Sequence, residues 1–209
     1  MADQKVEFKP IKHTQDGREL KPVADFRVRH RDYFHLKNFY IMLHEWLIEE
    51  GWAPRDDEDF DETLYLQRET QKSGNELWIW WRLKKKVADS EYFRYLMNID
   101  YHVILLRDAE VMHQGQKFKT NWGEVELLVR AWVEIDYQKT WRNHWFLKNL
   151  HPVWMSRIHK KAIDQHILTL YRDAYRFQHA AKSYLNMKTY LPEAEGEQFW
   201  PAAGLGDTK

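Results

Sequence analysis

Two segments of this chain alternate apolar and polar residues without a break. The first run places apolar side chains at Phe93, Tyr95, Met97, Ile99, Tyr101, Val103 and Leu105, and the second at Val125, Leu127, Val129, Ala131, Val133, Ile135 and Tyr137. Successive side chains of a strand point to opposite faces, so each run predicts a strand with one face on a core. The centre of the fold is therefore predicted to be a sheet.

Three further strands are predicted at 23–29, 62–70 and 76–87. The Ser-Gly of QKSGN suits a hairpin turn between the last two. A small hairpin is expected around Gly115, and the letters TNWG at 120–123 indicate another turn. Short connections between consecutive strands favour antiparallel pairing, because parallel neighbours need a long crossover.

Helical periodicity flanks this run of strands on both sides. Between Asp32, a predicted N-cap, and Gly51, a predicted stop, apolar residues follow one helical stripe. A short helix is predicted over 140–150, broken by His151-Pro152, and a long one over about 153–187. The long helix carries its apolar stripe at Ile163, Ile167, Leu170, Ala174, Phe177, Ala181 and Tyr184.

These elements predict an α+β fold in one domain, residues 1–190, followed by a mobile tail, 191–209. The sheet should be antiparallel with about five to six strands, and both the N-terminal helix and the long C-terminal helix should pack on it. This order of elements resembles that of helix-grip (START-like) folds, in which the last helix lies across a curved sheet. The resemblance concerns the order alone, and fold-level likeness says little about function.

Composition and motifs exclude several classes of function. The chain is 44% hydrophobic, which predicts a folded protein, and it has no cysteine, which excludes disulfides and thiol chemistry. No apolar run approaches the ~20 residues that span a bilayer, and the N-terminus lacks a signal-peptide core. A cytoplasmic protein is the expectation. We expect no metal or cofactor and no enzyme activity, since no catalytic motif is present.

The stretch ELWIWWRL, residues 76–83, places large apolar side chains on both faces of one strand. Its core row is predicted to be Leu77, Ile79, Trp81 and Leu83. The second face should then collect Trp78, Trp80, Leu96, Ile104, Leu106, Leu128 and Trp132, with polar neighbours that include Asp100, His102 and Glu134. Those three polar residues would suit acid-base chemistry, although a solvated sheet face is the commoner reason for such a pattern.

Three coverings for this second face remain open at this point. They are the chain's own helices or termini, a protein partner such as another copy, or a lipid surface or apolar ligand. Trp and Arg side chains rimmed by charge are typical of interaction hot spots. The predicted partner-binding residues are Trp78, Trp80, Trp132, Arg82 and Arg130.

The formal net charge of zero conceals an acidic block over 49–76 and a basic block over 139–188. Within the basic block, the aromatic residues suit contact with an anionic surface. The predicted contact residues are Trp141, Arg142, Trp145, Arg157, Lys160 and Lys161. On a single helical wheel, however, the apolar residues of 140–150 spread around the circumference, which favours a buried connector.

Taken together, the sequence predicts a non-enzymatic binding or assembly protein that docks a protein partner or another copy of itself through its Trp-rich surface. The alternatives are a helix-grip-like carrier of an apolar ligand and a peripheral membrane-surface binder. Nucleic acid is the least favoured partner, because the overall charge is neutral and no RNA-binding motif is present.

Overall fold

A computed structural model of the chain describes residues 19–55, 60–69, 74–88, 90–113 and 116–186. The elements run in the order β1 (Glu19–Phe34), α1 (Leu36–Glu49), β2 (Glu62–Arg68), β3 (Asn75–Val87), β4 (Ser90–His113), β5 (Gln116–Ile135), α2 (Thr140–Asn143), α3 (Leu147–Val153), a π-helical turn (Trp154–Ile158) and α4 (Lys160–Tyr184). The predicted tail at 191–209 lies outside the described residues.

The five strands form one antiparallel sheet in the order β1-β5-β4-β3-β2. Its core face is continuous across the strands, since Trp81 of β3, Ile99 of β4 and Val129 of β5 lie side by side and are fully buried. The α+β class and the antiparallel sheet predicted from the two alternating runs are therefore confirmed.

Both long helices pack on this core face. Phe39 of α1 contacts Tyr101 of β4 with ring centroids 6.2 Å apart, and Trp46 of α1 contacts Phe177 of α4 at 5.2 Å. At the N-terminal end of α4, His166 lies 4.3 Å from the Phe93 ring. The helix-grip order of elements is confirmed. The idea that one of these helices covers the second sheet face is wrong, because both lie on the other side.

Of the two predicted ends of α1, the C-terminal end is confirmed and the N-terminal end is not. The prediction of Asp32 as the N-cap is wrong, because β1 continues through Asp32 to Phe34. The N-cap is His35, whose Nδ1 accepts from the backbone N–H of Asn38 at 3.2 Å. The predicted stop at Gly51 is confirmed. Gly51 has φ +68°, and the next residue, Trp52, donates its N–H to the Leu47 carbonyl at 2.8 Å, as in a Schellman motif.

β4 and β5 form one long hairpin, so the turn predicted at 120–123 is wrong. His113 pairs with Gln116 at the tip, which agrees with a hairpin around Gly115, and β5 then runs unbroken through 120–123. Gly123 lies within β5, where the absence of a side chain lets the backbone of β4 come close, and it does not form a turn. A Cβ there would lie 3.1 Å from the Ile104 carbonyl oxygen, where the irregular Leu105 (φ 59°) shifts the strand register.

The helical region after β5 is more broken than the sequence pattern indicates. The helix predicted over 140–150 is interrupted between α2 and α3, and α3 continues through Pro152 instead of ending there. A π-helical turn then leads to α4, which begins at Lys160 and not near 153. Among the described residues, no helix is long and apolar enough to cross a membrane.

Candidate functional site: an exposed aromatic and basic segment

The segment 140–161, here named the aromatic-basic segment, is fixed to the end of β5 by a buried carboxylate. Asp136 is 2% exposed and accepts hydrogen bonds from the Thr140 hydroxyl (3.1 Å) and from the backbone N–H groups of Trp141 (3.2 Å) and Arg142 (3.1 Å). These bonds satisfy the otherwise free donors at the start of α2. The entry into the segment is therefore rigidly placed against the sheet.

Aromatic stacking holds the inner side of the segment. Trp141 of α2 stacks on Trp154 of the π-helical turn with centroids 5.0 Å apart, and the hydroxyl of Tyr92 lies 2.6 Å from Nε2 of the buried His151. Burial and the nearby Asp136 carboxylate raise the pKa of Tyr92, so its hydroxyl stays protonated and able to donate. The inner side is thus a small hydrogen-bonded core.

The outer side of the segment exposes its large apolar groups. Residues His144 to Phe146 form a turn between α2 and α3, and Trp145 in that turn is 82% exposed. Nδ1 of His144 holds the turn by accepting from the backbone N–H groups of Phe146 and Leu147, both at 3.3 Å. Four more exposed apolar residues belong to the same segment, namely Phe146, Leu150, Val153 and Ile158.

Positive charge surrounds these exposed apolar groups. Residues 137–163 contain no Asp or Glu, and they include the bases Lys139, Arg142, Lys148, Arg157, Lys160 and Lys161. Arg142 reaches back to Glu19 of β1 at 3.2 Å. The other five make no ion pair with any described residue, and their side chains are exposed. Among the described residues, these five bases therefore add positive charge that no ion pair offsets.

The predicted contact residues divide between the two sides of the segment. Trp145, Arg157, Lys160 and Lys161 are exposed, whereas Trp141 and Arg142 are half-buried and turn to inner partners. The interpretation as a buried connector is wrong for the outer side, because the chain breaks at the His144 turn and the helical wheel of 140–150 assumed one continuous helix. Leu150, Val153 and Ile158 were missed. The signal for them was the acid-free stretch of 137–163.

On the second sheet face, a buried carboxylate joins two arginines. Asp100 is 2% exposed, and its Oδ1 lies 2.5 Å from Arg82 Nη1 while its Oδ2 accepts from Arg130 Nη2 at 2.8 Å. Trp132 is also buried, at 6% exposed. Of the predicted partner-binding residues, Arg130 and Trp132 are therefore buried, and Trp78, Trp80 and Arg82 remain half-exposed.

The polar residues of this face bind separate partners instead of one another. His102 is 2.9 Å from Glu76 and stacks on Trp78 with centroids 5.3 Å apart. Glu134 accepts two bonds from Arg94, at 2.9 and 2.6 Å. The acid-base arrangement of Asp100, His102 and Glu134 considered from the sequence is therefore not formed. No group of three metal-ligating side chains occurs within the described residues.

Comparisons with known proteins place few constraints on this site. No protein-family profile matches the chain, and no curated protein matches its sequence. A solved structure that it resembles is the crystal structure of the di-domain ARO/CYC StfQ from the steffimycin biosynthetic pathway. The identity is 9% and the TM-score 0.16, over 76% of this chain and 52% of that one. The chain thus matches about half the length of that structure, and the likeness carries no functional argument.

Proposed function

We propose that this protein binds anionic membrane surfaces peripherally through the outer side of the aromatic-basic segment. The observation that carries the proposal is the joint exposure of Trp145 and Phe146 on one turn, within a stretch that contains six bases and no acid. Trp and other apolar side chains insert at the level of the lipid headgroups, where bases meet lipid phosphates. No other part of the described chain combines these features.

Both contributions amount to several kcal/mol, and the apolar one has the larger upper limit. A basic residue near an anionic leaflet is worth about 1 kcal/mol, and five unpaired bases lie in or beside the segment. Full burial of one large apolar side chain is worth about 1.5–3 kcal/mol, and five such side chains are exposed there. Because both sets act together, binding should be stronger with anionic lipid than with neutral lipid, and it should weaken in high salt without vanishing, since salt screens only the charges.

Flotation of the full chain with vesicles tests this proposal. We expect the protein to float with vesicles of phosphatidylcholine and phosphatidylglycerol, and to float much less with phosphatidylcholine alone. Replacement of Lys160 and Lys161 by Ala should reduce binding about 30-fold, at roughly 1 kcal/mol for each base. Replacement of Lys117 and Lys119, exposed bases near the β4–β5 tip, is the matched control and should leave binding unchanged. Equal flotation with neutral and anionic vesicles would rule the proposal out.

A second candidate function is self-assembly through the second sheet face. The observation that favours it is that both long helices lie on the opposite side, so the half-exposed Trp78 and Trp80 have no helix of the described chain above them. If this face joins two copies, the mass in solution should be a multiple of the chain, and the double variant Trp78→Glu, Trp80→Glu should be monomeric. A wild-type protein that stays monomeric at high micromolar concentration would exclude this function.

A further inference from the structure

The exposed Trp145 turn depends on the unprotonated state of one histidine nitrogen. His144 Nδ1 accepts from the N–H groups of both Phe146 and Leu147, at 3.3 Å each. A ring nitrogen accepts only when it carries no proton, whereas both nitrogens of the imidazolium ion are donors. Protonation at Nδ1 would therefore point an N–H at two other N–H groups, and the turn would lose both of these bonds.

The charged side chains of the two helices that flank His144 are basic, and the carboxylate that caps α2, Asp136, is engaged by hydrogen bonds from Thr140 to Arg142. The flanking helices contribute Arg142 from α2, which is held on Glu19, and Lys148 from α3. The other titratable group of those helices, His151, is buried against Tyr92. No carboxylate among the described residues forms an ion pair with His144.

An anionic membrane supplies the missing partner. We propose that protonation of His144 strengthens binding to anionic membranes, because it releases the turn that carries Trp145 and Phe146 and adds a positive charge to the contact surface. This inference rests on the proposed membrane function of the same segment. A histidine changes charge close to neutral pH. By linkage, a surface that favours the imidazolium form must itself bind more tightly when pH falls.

The test compares vesicle binding at pH 7.5 and pH 5.5 in the same salt. Phosphatidylglycerol keeps its charge over this range, so a change in binding reports on the protein. The variant His144→Asn retains a side-chain oxygen that can accept from the turn but cannot titrate. The variant His179→Asn removes an exposed histidine of α4 and is the matched control.

We expect wild type and His179→Asn to bind about fivefold more tightly at pH 5.5, which is the worth of one added charge near an anionic surface. His144→Asn should change less than about twofold between the two pH values. Equal binding of wild type at both pH values, or a full pH effect in His144→Asn, would overturn the inference and leave the proposed function standing. Absence of binding at either pH would overturn both.

Discussion

Replacing Trp145 by Ala removes the most exposed large side chain of the aromatic-basic segment. The indole is 82% exposed, and its ring neighbours are His144 and Phe146, at 6.5 and 5.7 Å between centroids. Because the side chain contributes little to the core, the variant should keep the unfolding free energy of the wild type within about 0.5 kcal/mol. Any loss of binding can then be assigned to the surface itself.

The size of that loss follows from the exposed area. A Trp side chain buries about 150–250 Å², so the exposed 82% of Trp145 corresponds to roughly 4 kcal/mol at about 25 cal/mol per Å². Insertion at the headgroup level removes about half of this area from water. The expected loss is therefore about 2 kcal/mol, or about 30-fold in the partition coefficient.

Partitioning should be measured over a series of anionic vesicle concentrations. Tyr33→Ala is the matched control, because Tyr33 is also exposed but pairs with Trp122, toward the opposite end of β5 from the segment. We expect Trp145→Ala to bind about 30-fold more weakly and Tyr33→Ala to bind like wild type. The reasoning is refuted if both variants bind with the wild-type partition coefficient, or if both lose affinity equally.

Four further substitutions test the fold that supports the site. Asp100→Asn leaves two arginines without their shared carboxylate. The unfolding free energy measured in urea should fall by about 3 kcal/mol. A loss below about 1 kcal/mol would contradict the buried ion network. Burial, aided by the His159 charge, lowers the pKa of His166. As pH falls below about 6.5, the unfolded state therefore takes up a proton that the native state binds less readily. Stability should therefore fall as pH drops below about 6.5, and less steeply in His166→Gln; identical slopes would contradict this. Gly123→Ala should lose roughly 1–3 kcal/mol of unfolding free energy by overpacking against Ile104. Gly51→Ala, which has open space but φ +68°, should lose about 1 kcal/mol of unfolding free energy. Calorimetry that shows no loss for Gly123→Ala would contradict the close approach.

The sheet was predictable because one physical signal dominates it. Alternation from Phe93 to Val103 and from Val125 to Ile135 assigns these side chains to a face, and the structure buries both rows. The predicted ends of the rows, Leu105 and Tyr137, are only half-buried, because Leu105 lies at a register shift with φ 59° and Tyr137 follows the end of β5. The turn predicted at 120–123 failed for a tertiary reason. Its Gly123 lies against the shifted register at Leu105, and no local pattern reveals a close approach between two strands.

The site was predictable in composition but not in geometry. The sequence located the aromatic and basic residues, yet the helical wheel of 140–150 could not anticipate the chain break at His144. That break depends on Asp136 capping a short α2 and on Trp141 stacking across to Trp154, contacts that join separate elements. Likewise, the side of the sheet on which α1 and α4 lie follows from packing and is not fixed by the amphipathic stripe of either helix.

Fluorescence from a single probe tests the membrane-binding proposal most directly. The chain has no cysteine, so Trp145→Cys can be labelled at one site with an environment-sensitive nitrobenzoxadiazole group, an aromatic ring in place of the indole. Tyr33→Cys, labelled in the same way, is the control. With anionic vesicles, the emission of the probe at position 145 should shift to the blue and brighten, and that at position 33 should not change. A protein that floats with the vesicles while the probe at position 145 stays in water would contradict the proposal.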